Sequence, residues 1–197
     1  MSQEFLNPNK VKAKKMMLLF SLLSLTMTFA GLTSAYLVSK GRPDWLVDFE
    51  LPELFFYSTF ILLLSSVSIQ VSKYNLNKNK ANRDVLIWLI LTLLLGIVFV
   101  VFQLFAFKSL IEQGYYFSGA QSTITTSFIY VLTFLHAVHL FAGIIVLIFL
   151  IFNTATNKYQ RNKLGFNLGV TFGIFLIFYG FIYFYFFISL DKNYLTL

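Results

Sequence analysis

The chain has 197 residues, of which 58% are hydrophobic and 12% are charged, whereas soluble domains carry about 25% charged residues. Its 25 Phe and 11 Tyr are more than a water-soluble core of this length can bury, so the composition excludes a soluble globular protein. The absence of cysteine excludes disulfides and thiolate metal sites. The net charge is +7, and the basic residues lie in short loops, which argues against a nucleic-acid partner.

Five apolar stretches are long enough to cross a bilayer, which takes roughly 20 helical residues. They run over residues 16–38, 52–71, 85–107, 126–152 and 164–190, and the loops between them are too short to fold as separate domains. The first stretch is too long for a signal peptide and is predicted to stay in the protein. Since a backbone in lipid must satisfy its hydrogen bonds within each segment, the sequence predicts an all-α membrane bundle in which residues 1–197 form one domain.

The basic residues predict the orientation of the bundle. Eleven of the fifteen lie in the N-terminal tail and in the second and fourth connections, and four lie on the opposite side: Lys40, Arg42, Lys108 and Lys192. Because basic loops stay in the cytoplasm, the N-terminus is predicted to be cytoplasmic and the C-terminus outside, with the chain in the cytoplasmic membrane. The acids Asp44, Asp48, Glu50, Glu53, Glu112 and Asp191 then form an acidic outer face.

The middle of every predicted span lacks Asp, Glu, Lys and Arg. Intramembrane charges cost several kcal/mol and mark proton relays and ion paths, so their absence argues against a self-contained pump or ion-coupled transporter. Glu53 sits at the outer end of the second span, where we expect an exposed carboxylate. No phosphate loop, nucleophile–base pair or pair of carboxylates is found, and no catalytic residue is predicted.

Two histidines, His136 and His139, lie on one side of the fourth span, in a stripe with Tyr130, Thr133 and Gly143. One interpretation is a pair of haem or metal ligands. The other is hydrogen bonding at a helix seam or contact with a lipid. A zinc or copper site needs three or four ligands, which this chain cannot supply, so the sequence favours the structural or lipid contact and predicts no metal or cofactor in this chain.

Small residues recur at helical spacing in three spans and predict close helix packing. They include Gly31 in the first span, a series of serines in the second, and Gly165, Gly169 and Gly173 in the fifth. The spacing fits packing within this chain or against a helix of a partner. Gln103, a polar residue deep in the third span, is predicted to bond to a neighbouring helix.

The region from Gln103 to Gly143 reads QLFAFKSLIEQG and then SFIYVLTFLHAVHLFAG. It resembles subunit III of the haem-copper oxidases, the cytochrome c and quinol oxidases, whose corresponding helix reads roughly FYxLTGxHGxHVxxG. Tyr130, Thr133, His136, His139 and Gly143 hold the matching positions. The five spans correspond to the short form of the family, which lacks two N-terminal helices.

Three departures from the family pattern affect what the resemblance implies. Leu25 stands where the family usually has a glutamate, and Phe134 and Ala137 replace the glycines beside the histidines. Gly173-Ile174 stands where a Trp-His pair is usual. A charged pair around the missing glutamate therefore cannot form, and any role that the family assigns to that carboxylate is not expected here.

The resemblance implies a non-catalytic subunit that packs beside catalytic subunit I and near the copper-bearing subunit II. It implies bound membrane phospholipid and support of proton uptake and complex stability during dioxygen reduction. Haem and copper would belong to the partner subunits, and cytochrome c would bind the complex rather than this chain. Alternatives are subunit III of a quinol oxidase, a stand-alone multipass transporter or lipid-binding protein, and a transient assembly factor.

Overall fold

The computed structural model describes residues 8–42, 54–79, 81–117, 119, 123–161 and 163–192, and for residues 160, 161, 183, 184 and 186–192 it describes the backbone alone. These residues form helices and their connections. The helices are α1 Pro8–Ser39, α2 Leu54–Asn77, α3 Asn82–Glu112, α4 Ile124–Ala155, α5 Lys158–Arg161 and α6 Leu164–Lys192. Every helix except α5, a single turn, is long and apolar enough within the described residues to cross a membrane.

Local sequence signals set several of these boundaries. Pro8 occupies the first turn of α1, where its missing N–H removes no hydrogen bond. Thr123 caps α4 through a capping box with Thr126. The turns after α2 and α4 each contain an asparagine with positive φ, Asn79 at 54° and Asn157 at 57°, a conformation that asparagine adopts more readily than most residues.

The five predicted spans are confirmed as five long helices. Each of the five long helices extends beyond its predicted apolar stretch at one or both ends, since backbone hydrogen bonding continues past the hydrocarbon region, and α6 begins at Leu164 as predicted. The short helix α5 was not predicted, because four polar and aromatic residues between two long spans carry no periodic signal.

Four helices form a closed ring. Along this ring α2 contacts α3, α3 contacts α4, α4 contacts α6, and α6 returns to α2. Helix α1 lies outside the ring and packs against α4 and α6. The order in the ring follows the chain, as expected for antiparallel helices joined by short connections.

Small hydroxyl residues bring α2 and α3 together. Ser68 and Ser72 are buried and donate hydrogen bonds to the main-chain oxygens of Trp88 (3.0 Å) and Val85 (3.2 Å). Thr92 adds a bond to the Ser68 hydroxyl at 3.1 Å. The serine series of the second span therefore packs within this chain, because a small side chain lets two backbones approach and its hydroxyl bonds across the interface.

The glycines of α6 also meet neighbouring helices. A Cβ on Gly169 would lie 3.0 Å from Leu150 of α4, and one on Gly173 would lie 3.4 Å from Ile69 of α2. A Cβ on Gly165 would lie 3.3 Å from the Tyr159 ring. The packing predicted for these glycines is therefore present.

Gly31 behaves differently: it packs against no other helix among the described residues, so of the two interpretations of the small residues, contact with a partner's helix stays a prediction for this position. No heavy atom lies within 4 Å of the position of a Cβ on Gly31. The buried residues of α1 are Leu25, Phe29 and Tyr36, which lie on another face of the helix. Regular spacing places small residues on one face, but it does not determine which face of α1 turns towards the bundle.

The connections α2–α3 and α4–α6 meet at one end of the bundle, called here the basic end. Lys163 donates to the side-chain oxygen of Asn79 at 2.6 Å, and Asn82 donates to the side-chain oxygen of Asn157. Nearby, Asn153 donates to the Tyr159 hydroxyl at 3.5 Å. Burial raises the pKa of Tyr159, so this phenol is neutral. These bonds tie the two turns together.

The outer surfaces of the long helices carry many large apolar side chains. Phe105, Phe134, Phe141, Phe149 and Phe152 are each at least 60% exposed. Apolar exposure of this extent on all sides of a helical bundle indicates contact with lipid tails. The chain is a multi-pass membrane protein, and its orientation stays a prediction. Of the predicted acidic outer face, Asp44, Asp48, Glu50 and Glu53 lie outside the described residues.

Candidate functional site

His136 projects from α4 towards the interior of the ring. Its Nε2 atom lies 2.8 Å from the position that a Cβ would occupy on Gly180 of α6, and Leu62 of α2 lies 3.7 Å from the same position. Both ring nitrogens are buried and have no hydrogen-bond partner among the described residues. His136 is thus a packing residue at the junction of three helices.

His139, one turn further along α4, has a partner in its own helix. Its Nδ1 lies 2.7 Å from the main-chain oxygen of Leu135. Because a carbonyl oxygen only accepts hydrogen bonds, Nδ1 carries the proton in this contact. The bond fixes the orientation of the ring.

Phe29 of α1 lies between the two histidines and α6. Its ring centre is 6.4 Å from that of His136 and 5.5 Å from that of His139. On its other side it stacks with Tyr179 of α6 at 5.7 Å. Phe29 is 1% exposed. The two histidines therefore help to hold α1 against the ring, through aromatic contacts of the kind that add about 0.5–1.5 kcal/mol beyond burial.

The remaining residues of the histidine stripe face other partners. Tyr130 stacks on Phe107 of α3 at 5.4 Å and donates a 2.9 Å hydrogen bond to the main-chain oxygen of Tyr115. Thr133 donates within its own helix to the oxygen of Ile129 at 2.7 Å. Gly143 faces Leu176 of α6, which would lie 3.0 Å from a Cβ there. The stripe is a packing surface, named the histidine seam, whose members contact three different helices. It consists of Tyr130, Thr133, His136, His139 and Gly143.

Gln103 makes the interhelical hydrogen bond that the sequence predicted. Its Nε2 donates to the hydroxyl of Ser58 in α2 at 3.0 Å, and Ser58 in turn donates to the oxygen of Phe55 at 2.8 Å. The Gln103 side-chain oxygen is buried and has no partner among the described residues. Gln103 thus links α3 to α2.

Leu25 lies in the apolar contact between α1 and α6. It is 7% exposed and clusters with Phe29 and Leu176, with Phe172 and Phe175 packed around them. The position where the resemblance implies a glutamate is therefore filled by apolar packing, and the neighbouring segment of α6 is also apolar.

The histidine geometry does not fit a metal or haem. In the part of the chain that the structure describes, no group of three or more His, Cys, Asp or Glu residues comes together. The Nε2 atom of His136 is covered by Gly180 and the Nδ1 atom of His139 is bonded to Leu135. The two imidazole rings therefore share no open position where both could bind one metal ion. The expectation that this chain holds no cofactor stays a prediction.

Sequence reasoning missed two residues of this region, Tyr179 and Gly180. It included Ser58 in the serine series of the second span but did not identify it as the partner of Gln103. Gly180 lies inside the dense aromatic run of α6, where one glycine among bulky residues was the available signal. Such a glycine marks a close approach of a neighbouring group. Its partner, His136, could not be identified without the tertiary structure.

A comparison with protein families decides the classification. A family model described as cytochrome c oxidase subunit III matches residues 11–191. The chain belongs to this family. Membership of the subunit III family agrees with the five apolar helices and with the two histidines that α4 carries.

Individual members of the subunit III family resemble this chain over part of its length. A probable quinol oxidase subunit 3 of Staphylococcus haemolyticus is 38% identical over 119 residues, 59% of this chain and 57% of that protein. The cytochrome bo(3) ubiquinol oxidase subunit 3 of Buchnera aphidicola is 37% identical over 113 residues, 55% and 56% of the two chains. The cytochrome c oxidase subunit 3 of Thermostichus vulcanus is 31% identical over 134 residues, 66% and 63% of the two chains. The aligned part covers less than two thirds of each relative.

Proposed function

We propose that this chain is the non-catalytic subunit III of a haem-copper terminal oxidase that reduces dioxygen. The observation that carries the proposal is the family match over residues 11–191. The chain packs beside subunit I, with subunit II in the same complex, in the cytoplasmic membrane. Haem and copper are held by those partners, where they supply the redox chemistry.

The geometry of the histidine seam supports a structural rather than catalytic role. The polar side chains that the family pattern singles out are engaged in helix contacts: Gln103 with Ser58, Tyr130 with Tyr115, and His139 with Leu135. The described residues leave lipid-facing apolar surface on the outside of every long helix. This subunit binds phospholipid there and supports proton uptake and complex stability.

Cytochrome c is the electron donor that the sequence analysis favours, on the basis of the acidic outer face. Quinol is the second candidate, and one observation favours it: the relatives at 38% and 37% identity are named quinol oxidase subunits, whereas the relative at 31% is named a cytochrome c oxidase subunit. The donor binds the complex rather than this chain.

A stand-alone transporter is disfavoured by the continuity of the helices. Transporters often place their sites at interrupted helices near the midplane, whereas α2, α3 and α4 run unbroken. Transport of a solute by the isolated chain in liposomes would support that alternative.

The test is purification of the tagged full chain from its native membranes, with an unrelated tagged membrane protein as the control. We expect subunits I and II, haem and copper to co-purify in fixed stoichiometry, which also separates a mature subunit from a transient assembly factor. Dioxygen consumption is then measured with reduced cytochrome c and with quinol. Recovery without haem or copper would refute the proposal, and the donor that sustains turnover decides between the two oxidase classes.

A further inference from the structure

A cavity lies inside the four-helix ring, between His136 and the basic end. Four glycines from three helices contribute to its wall: Gly96 of α3, Gly143 of α4, and Gly169 and Gly173 of α6. The rest of the wall is mostly aliphatic side chains, including Leu62 and Ile69 of α2 and Leu147 of α4. Glycines and aliphatic residues make a wall that is apolar and recessed.

The surrounding packing bounds the two ends of the cavity. Each neighbouring pair of helices in the ring is in contact. Towards the basic end the buried cluster that includes Leu76, Val85, Leu89, Phe166 and Val170 fills the ring. Towards the other end, His136, Gly180 and Leu62 meet in one contact. Between these contacts the cavity is partly open.

The lining offers few hydrogen bonds to water. Ser65 and Thr92 carry its polar side chains, and the Thr92 hydroxyl is already engaged with the Ser68 hydroxyl at 3.1 Å and the Trp88 oxygen at 2.8 Å. A buried water usually makes about three hydrogen bonds. The chemistry of the lining therefore favours an apolar occupant over water.

The size of the cavity restricts the occupant further. About 70 Å³ is open to the centre of a water-sized sphere, whereas about 10–15 Å³ on this measure holds one water molecule. An engineered apolar cavity of about 150 Å³ in another protein binds benzene or xenon. The cavity in this ring suits a molecule smaller than benzene.

From this lining and size, we propose that the ring of α2, α3, α4 and α6 is a binding site for one small apolar molecule, of the size of xenon, dioxygen or dinitrogen. The site belongs to the chain itself and is independent of the electron donor of the complex. Gly96 is the position that keeps the site open, because nothing lies within 4 Å of a Cβ built there.

The experiment is xenon pressurisation of crystals of the full chain, located by anomalous scattering. We expect one xenon peak inside the ring, next to Gly96 and Gly173. In the variant Gly96→Leu the new side chain fills the cavity, so the peak should be lost. Gly31→Leu is the matched control, since Gly31 also has nothing within 4 Å of its Cβ position but lies on α1, outside the ring; this variant should keep the peak.

Three outcomes would contradict the proposed binding site. They are a ring without a xenon peak in the unchanged chain, a peak of the same height in Gly96→Leu, and continuous density of an acyl chain in place of xenon. If Gly96→Leu does not keep the helix content of the unchanged chain, Gly96→Ala replaces it. For that variant we expect a lower xenon occupancy at the same pressure, and an unchanged occupancy would count against the site.

Discussion

The Nε2 atom of His136 lies 2.8 Å from the position of a Cβ on Gly180, and its Cε1 atom lies 3.0 Å from the same position. Real Cβ atoms essentially never have neighbours at 2.8 Å, so α4 and α6 reach this separation because residue 180 has no side chain. The histidine and the glycine pack against each other as one unit. The side chain at each of the two positions therefore limits the size of the side chain that the other position can hold.

The first prediction concerns this unit. Gly180→Ala should lower the stability of the chain by about 1–3 kcal/mol, because the added methyl group overpacks a close contact. In a His136→Ala background the same change should cost much less, since the clashing ring is gone. The measurement is a double-mutant cycle on the midpoint of unfolding in detergent.

Gly31→Ala is the control for that cycle, because its Cβ would meet nothing within 4 Å. It should leave the unfolding midpoint unchanged or raise it slightly, through the better helix propensity of alanine. An equal cost of Gly180→Ala in both histidine backgrounds would show that the two residues are not coupled.

The second prediction concerns the cofactors of the complex. His136→Ala and His139→Ala should leave the haem absorption spectrum of the purified oxidase unchanged, because the two histidines have no further metal-ligating side chain beside them among the described residues. Both variants should weaken retention of the subunit, since both rings contact Phe29. Loss of a haem band in either variant would mean that the seam is a ligand site.

The third prediction concerns Leu25, which is buried against Phe29 and Leu176. Leu25→Glu should destabilise the chain by about 2.5–3.5 kcal/mol, the approximate cost of a charged residue in the middle of a membrane helix. Leu25→Met keeps the volume and should cost less than about 1.5 kcal/mol. Thermal unfolding in detergent compares the two. Equal stability of Leu25→Glu and Leu25→Met would show that a polar partner is available at this position.

The fourth prediction concerns the turn after α4. Asn157 has φ of 57° and accepts a hydrogen bond from Asn82. Asn157→Gly keeps the conformation and removes the bond, at a cost of about 0.5–1.5 kcal/mol. Asn157→Val should cost about 1–2 kcal/mol more, because a β-branched residue is strained at positive φ. Unfolding midpoints of the two variants separate the contributions, and equal midpoints would exclude backbone strain.

The fifth prediction concerns orientation. The chain has no cysteine, so single cysteines report position without a background signal. Thr156→Cys should be protected in intact cells from a membrane-impermeant thiol reagent, and Gln113→Cys should react, because basic connections stay in the cytoplasm. Both positions are exposed. The reverse labelling pattern would contradict the predicted topology.

The histidine seam shows what sequence pattern can and cannot predict. Spacing correctly placed the two histidines on one side of α4 and identified Gln103 as a residue that bonds to a neighbouring helix. It could not name Ser58 or Gly180 as partners, because both lie far away in the chain. Gly31 shows a related limit: a stripe of small residues marks a face of a helix, but nothing local shows whether another helix of the same chain or a partner's helix covers it.

The five membrane-crossing helices could be predicted from the order of the residues, since span length and apolar content are local properties that need no knowledge of neighbouring helices. Tertiary structure alone decided that α2, α3, α4 and α6 close into a ring around a cavity while α1 packs outside. The physical reason is that these helices are apolar on most sides. In lipid an apolar face is stable whether it meets a helix or an acyl chain, so the contacts depend on where small residues and hydrogen bonds come together.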